Sequence, residues 1–195
     1  MPIRIATVCG SVRPKSQTSR ALALVIDELR GRPKVEVSAI DLDSIDLPLP
    51  GRPAADPAPV DRFRRTIENS TGVVFATPEY HGSFSSVIKL AIENLGFPSV
   101  LAGKPVSLLG VASGQIGAIK SLEHLRSVCS HVGAIVLPAL VSVARVHEVF
   151  DEQGRCLDPA VEKRIRSVAT VLVDYIEHAV CPRLILESMV RSEGR

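Results

Sequence analysis

Ile3-Arg4-Ile5-Ala6-Thr7-Val8-Cys9-Gly10-Ser11-Val12-Arg13-Pro14-Lys15-Ser16-Gln17-Thr18-Ser19 is the stretch that decides the fold. Ile3 to Val8 is a short apolar run rich in β-branched residues and reads as a buried strand ending at Gly10-Ser11. Beyond the polar loop, Ala21, Leu22, Leu24, Val25, Ile26 and Leu29 recur at helical spacing until Gly31 and Pro33 stop them. This order sets a helix N-terminus at the end of a buried strand. The unpaired N–H groups and positive dipole end of such a terminus suit a phosphate. Ser11, Ser16 and Thr18 add hydroxyl donors, and Arg13 adds a permanent charge with forked donors. An N-cap followed by a turn would use the same residues, so the loop alone leaves both readings open.

Outward from this stretch the pattern repeats. Val35 to Ile40 alternates like a strand, and Asp41 to Pro59, rich in Pro and Asp, reads as a long surface loop before a charged helix over Val60 to Asn69. Gly72 to Thr77 is a fully apolar strand that Pro78 is expected to cut off, and Ser85 to Leu95 reads as a helix ending at Gly96 and Pro98. Val106 to Val111 is a further buried strand, followed by a turn from Ser113 and a helix over Ile116 to His131. Ala134 to Leu137 makes a fifth strand, with Leu140 to Ala144 extending it or pairing separately. Asp158-Pro159 caps the last helix, Ala160 to Ala179, and the residues after Pro182 read as a tail that packs on a neighbour. Five apolar strands alternating with helices predict a parallel sheet covered on both faces. Ligands bind beyond the carboxyl ends of such strands, where three loops rich in Gly, Ser and Thr (residues 10–18, 77–83 and 112–117) should gather. With no repeat and no composition break, residues 1–195 are expected to form one domain, with 183–195 as its tail.

Composition closes off several classes. A net charge of +2 with scattered Lys and Arg gives no nucleic-acid surface, and the cluster Arg62, Arg64, Arg65 reads as a solvated helix face. No apolar stretch approaches the ~20 residues that span a bilayer. Cys9, Cys129, Cys156 and Cys181 lie far apart with no C-x-x-C pair, which fits a reducing cytoplasm and neither a disulfide frame nor a zinc site. His124 and His131 share a helix face without a partner to complete a metal set, so no metal is expected. Cys9 and Lys15-Ser16 imitate the spacing of a small phosphatase loop, but Lys15 holds the position that needs a bidentate Arg.

The second informative loop is Thr77-Pro78-Glu79-Tyr80-His81-Gly82-Ser83-Phe84-Ser85. Pro78 stiffens it, Gly82 permits a conformation closed to other residues, and Tyr80 and His81 line it. G-S-x-R-x-x-S-x-T at Gly10 to Thr18, followed by P-E-Y-H-G-S-F-S at Pro78 to Ser85, resembles the NADPH-dependent FMN reductase family. The resemblance runs from about Ile3 through Ala179. It implies a flavodoxin-like α/β fold, a doubly wound five-stranded parallel sheet of order 2-1-3-4-5 with helices on both faces. It also implies that Ser11, Arg13, Ser16, Gln17 and Thr18 hold the phosphate of FMN. Pro78, Glu79, Tyr80, His81, Gly82 and Ser83 would frame the isoalloxazine, with Ser113, Gly114 and Gly117 on the opposite rim. NADPH would be the hydride donor, and the acceptor a flavin, quinone, azo compound or metal ion. A homodimer or homotetramer with the flavin near the subunit boundary is expected. The chemistry lies with the cofactor, so no catalytic side chain is named. An electron carrier like flavodoxin, without NADPH turnover, is the other reading. Such carriers are acidic with a T-x-T-G-x-T loop, whereas this chain is weakly basic with Gly-Ser-x-Arg.

Overall fold

The computed structural model describes residues 2–138 and 140–193. Met1, Ala139, Gly194 and Arg195 lie outside the described residues, among them the last two positions of the expected tail. The run from Ile3 becomes β1 (Ile3–Cys9), with β2 (Val35–Ile40) parallel on one side and β3 (Gly72–Tyr80) parallel on the other. At its end β3 folds back into a short antiparallel strand, β4 (Ser83–Phe84). Along its body it pairs in parallel with β5 (Pro105–Val111). The far edge of β5 is shared by β6 (Ile135–Val136) and β7 (Val141–Val143), both parallel to it. The path is β2-β1-β3-β5-β6, with β4 and β7 beside it. Taken as one interrupted strand, β6 and β7 give the expected order, so the five-strand count is corrected to seven. The interruption falls at Pro138, which has no N–H for a ladder.

The helices are α1 (Gln17–Arg30), α2 (Pro57–Glu68), α3 (Ser86–Glu93), α4 (Ile119–His131) and α5 (Pro159–Tyr175). Val25 and Leu29 of α1 and Ile165 and Leu172 of α5 bury one face of the sheet. Phe63 and Ile67 of α2, Ile88 of α3 and Leu125 of α4 bury the other. Both faces being covered, Val73, Val74, Phe75 and Ala76 of β3 are wholly buried, which is why that strand reads as continuous apolar sequence. Arg166 of α5 locks α1 in place by donating to Asp27 at 2.7 Å and to Glu162 at 2.8 Å.

Four expectations need correction. Residues 41–59 hold a 3₁₀ turn, Leu42–Ser44, whose Leu42 is buried, and α2 starts at Pro57 with Asp56 as its cap. β3 passes through Pro78 to Tyr80, since β1 has already ended opposite Ala76 and no partner there asks for the missing N–H. α4 starts at Ile119 and not at Ile116. The stretch read as a tail is a helix: α5 passes through a wide π turn, Ile176–Val180, into α6 (Cys181–Glu193). A π turn loosens the ladder where Pro182 offers no donor, so the chain continues helically across a residue expected to end it.

Gly10 fixes where the first loop leaves the sheet. A Cβ there would sit 2.5 Å from Ile88 Cγ1 and 2.9 Å from both Ala76 O and Ser85 Oγ. Gly10→Ala is expected to destabilise the protein by about 1–3 kcal/mol, the usual cost of overpacking. Urea unfolding followed by circular dichroism checks it.

Candidate functional site

Loop 10–18 is held by its own polar groups. Ser16 caps α1, its Oγ accepting from Ser19 N at 3.1 Å, and Ser11 Oγ accepts from Arg13 N at 3.4 Å. Lys15 adopts a left-handed conformation with φ of 53°, which turns the chain into the helix. The cap serves Ser19 and leaves the first-turn N–H groups of Gln17 and Thr18 for a ligand. Thr18 is buried at the helix start, and the Oε1 atom of Gln17 is buried without a hydrogen-bond partner. An amide rotated so that its NH₂ faces the loop would donate to a phosphate oxygen.

The second loop is a tight hairpin. His81 and Gly82 are its two turn residues, both with positive φ (50° and 76°), and Tyr80 pairs with Ser83 across it. That is the backbone of a primed two-residue turn, whose twist matches the flanking strands. Gly82 is therefore needed by the turn itself. The hairpin is clasped to α4: Glu79 Oε2 accepts from Ser121 N at 3.2 Å, and His124 Nδ1 lies 3.2 Å from Ser83 Oγ. Glu79 thus satisfies an N-terminal donor of α4, whose cap residue Ala118 has no side-chain acceptor. Thr77 Oγ1 accepts from Ser85 N at 3.0 Å and binds hairpin to strand.

The third loop is tied to the strand beyond it. Ala112 N donates to Val143 O at 2.9 Å, Val146 N to Ala112 O at 3.0 Å, and Arg145 N to Gly114 O at 3.1 Å. Gly117 has φ of 77°, and a Cβ there would collide with Ser142 Oγ, so its smallness serves the packing of α4's start on β7.

The three loops meet in a cleft of about 280 Å³ beyond the carboxyl ends of β1, β3 and β5. Ser11, Arg13, Ser16, Gln17 and Thr18 line it from the first loop, Pro78, Glu79 and Tyr80 from the second, and Ser113 from the third. The Arg13 guanidinium stands 5.7 Å from the centre of the Tyr80 ring, so the first two motifs touch. His81, Gly82, Ser83, Gly114 and Gly117 do not line this cleft; they build the turns around it. Val146 lines it without having been foreseen, while Lys15 and Ala112 come from the loops expected to gather there. His124, read from sequence only as lacking the partners of a metal set, belongs to the hairpin's support. Only its position in the first half of a helix that starts at the sheet's ligand end pointed there.

Cys9 has the opposite character to a phosphatase nucleophile. Burial raises its pKa above the ordinary thiol value and Asp41 adds to this, against a hydrogen bond to Ser11 O that lowers it. A thiol nucleophile needs the reverse shift.

A doubly wound sheet of this order, with a phosphate-type loop after its first strand, defines a flavodoxin-like nucleotide-binding protein. Residues 3–148 match the family model described as NADPH-dependent FMN reductase. A curated NAD(P)H-dependent FMN reductase from Pseudomonas aeruginosa is 33% identical over 171 residues, covering 84% of this chain and 90% of that protein. A 2-hydroxy-1,4-benzoquinone reductase from a Burkholderia species is 30% identical over 143 residues, covering 70% and 75%. A solved flavoenzyme from Paracoccus denitrificans, named as an NAD(P)H:acceptor oxidoreductase, superposes with a TM-score of 0.77 at 26% identity, covering 90% and 97%. The chain belongs to the NADPH-dependent FMN reductase family. It is an oxidoreductase whose cofactor is FMN and whose hydride donor is NAD(P)H.

Burial also pushes the Cys129 thiol up to about 12. At pH 8, below both raised values, Cys9 and Cys129 stay protonated. Iodoacetamide should therefore label both far more slowly in the native protein than in urea. Mass-spectrometric peptide mapping reads this; rapid native labelling of Cys9 would contradict its burial.

Proposed function

We propose that the cleft between residues 11–18, 78–80 and 113 holds FMN. The phosphate would lie on the N-terminus of α1, and the isoalloxazine would lie toward the hairpin. The observation that carries this is the convergence of the first two motifs, with Arg13 against Tyr80 and an unsatisfied Gln17 amide at the helix start. Donor chemistry fits the group: Ser11, Gln17 and Thr18 offer neutral donors, Ser16, engaged with Ser19, fixes the loop around them, and Arg13 supplies charge. Glu79, already bonded to Ser121, contributes shape more than hydrogen bonds. His81, Gly82 and Ser83 fix the height of the rim, while Ser113 and Gly114, where a Cβ would meet nothing within 4 Å, leave the opposite side open.

Bound FMN supplies hydride acceptance from NAD(P)H and electron delivery to a second substrate. No side chain needs to act as nucleophile, and the residues bind, orient and limit access to the ring. A quinone or azo compound as acceptor is supported by two relatives, the benzoquinone reductase and an NADPH azoreductase of a Bacillus strain. Residues 1–195 act as one domain, in the cytoplasm, as four unpaired cysteines favour. The protein works as a homodimer or homotetramer, since Phe97, Ile116, Leu186 and Val190 expose more apolar surface than one small domain usually leaves bare.

Purified protein should bind FMN far more tightly than riboflavin, because the loop grips the phosphate. Equal affinities in a fluorescence titration would place the flavin elsewhere. Arg13→Ala should lose roughly 1.5–3 kcal/mol of FMN affinity with an unchanged circular dichroism spectrum, the scale of a charged hydrogen bond. Steady NAD(P)H oxidation with a quinone separates the enzyme from a one-electron carrier, which would show none. Light scattering at micromolar concentration should give a dimer or tetramer mass, and a monomer would refute the assembly.

A further inference from the structure

A second cleft, of about 460 Å³, lies on the other side of loop 10–18, between α1 and β2. That is within the range of small-molecule sites, roughly 300–1,000 Å³. Leu22, Ala23 and Ile26 of α1 form one wall, and Ala39 and Ile40 of β2 form the facing one. Asp41 and Asp43 stand at the end of β2 and close its rim. They are held together by Asp41 Oδ1 accepting from Asp43 N at 3.1 Å. Thr7 is wholly buried against this cleft, and its Oγ1 finds no hydrogen-bond partner among the described residues. Ser11, Arg13, Pro14 and Lys15 line both clefts, so only the crest of one loop separates them.

A slot with apolar walls takes a flat ring, carboxylates at its rim accept from a sugar diol, and cations on the crest face a pyrophosphate. An acidic residue beyond the second strand of a doubly wound sheet is placed to accept from a ribose 2′-hydroxyl. Resting on the reading of the first cleft as the flavin site, we propose that this second cleft holds the adenosine half of the pyridine dinucleotide. Asp41 and Asp43 meet its ribose, and Lys15 lies under the pyrophosphate where it crosses the crest. A 2′-phosphate would face two carboxylates, so the cleft favours NADH over NADPH.

The probe is adenosine 5′-monophosphate, added to the FMN-loaded protein and followed by ¹H–¹⁵N NMR. Shifts should cluster at residues 22–26 and 39–43, NADH should perturb the same residues and raise the apparent Kd of adenosine 5′-monophosphate by competition, and adenosine 2′,5′-bisphosphate should bind roughly tenfold more weakly or worse. Shifts elsewhere, no binding, or equal binding of the two nucleotides would overturn the proposal. Ala23→Trp fills the slot from α1 without touching the flavin cleft. It should raise KM for NADH several-fold, with kcat at saturation and FMN affinity unchanged; an unchanged KM would overturn the assignment. Failure of the wild-type protein to bind FMN, or of saturating NADH to bleach it, would count against the flavin reading instead. The nucleotide titration judges the second cleft in either case.

Discussion

The missing side chain at Gly10 is the contact on which the rest of the site depends. Its N–H donates to Ala76 O at 2.7 Å, and Ile88 and Ser85 close over its Cα. Ser85 in turn caps α3 through Ile88 N. The end of β1, the body of β3 and the start of α3 are thereby fixed against one another. The phosphate loop and the hairpin leave the sheet from this junction, so their spacing is set before any ligand arrives. Preorganisation of this kind is what a cofactor enzyme needs from its protein, because the bond-making belongs to the cofactor.

Polar residues around the cleft divide by whether the fold already uses them. Ser16, Thr77 and Glu79 satisfy backbone donors at helix starts or at the hairpin, and Gly117 makes room for Ser142. Arg13, Gln17 and the first-turn N–H groups of α1 remain for a ligand. Glu79 has a further effect. By binding the start of α4 it couples the 77–85 hairpin to the helix that carries Lys120 and His124.

Local rules carried the sequence reading far. Asp158-Pro159 is a helix start in the structure as in the pattern, with Asp158 Oδ1 accepting from Ala160 N at 2.8 Å and Val161 N at 3.3 Å. The same pair at Asp56-Pro57 was hidden by the prolines around it and passed as loop. The parallel sheet followed from alternation of apolar strands with helices and its order from the family resemblance, but β4 did not, because a His-Gly turn lacks the usual Asn-Gly or Asp-Gly signature. Residues with unusual chemistry at the cleft were legible; Val146 was not, since its role is one of place alone. Nor did any pattern announce that Pro182 would sit inside a helix, where a π turn five residues earlier relieves the missing donor.

The central claim is that a phosphate lies enclosed on the N-terminus of α1, held by Arg13 and backbone N–H groups. Phosphorus-31 NMR of FMN bound to the protein tests it most directly. A phosphate monoester dianion free in water takes up a proton to become the monoanion at about pKa 6. Charged and backbone donors favour the dianion, so the bound resonance should stay at its dianionic position from pH 8 down to well below that value. A resonance that titrates like free FMN would show the phosphate in solvent and contradict the account.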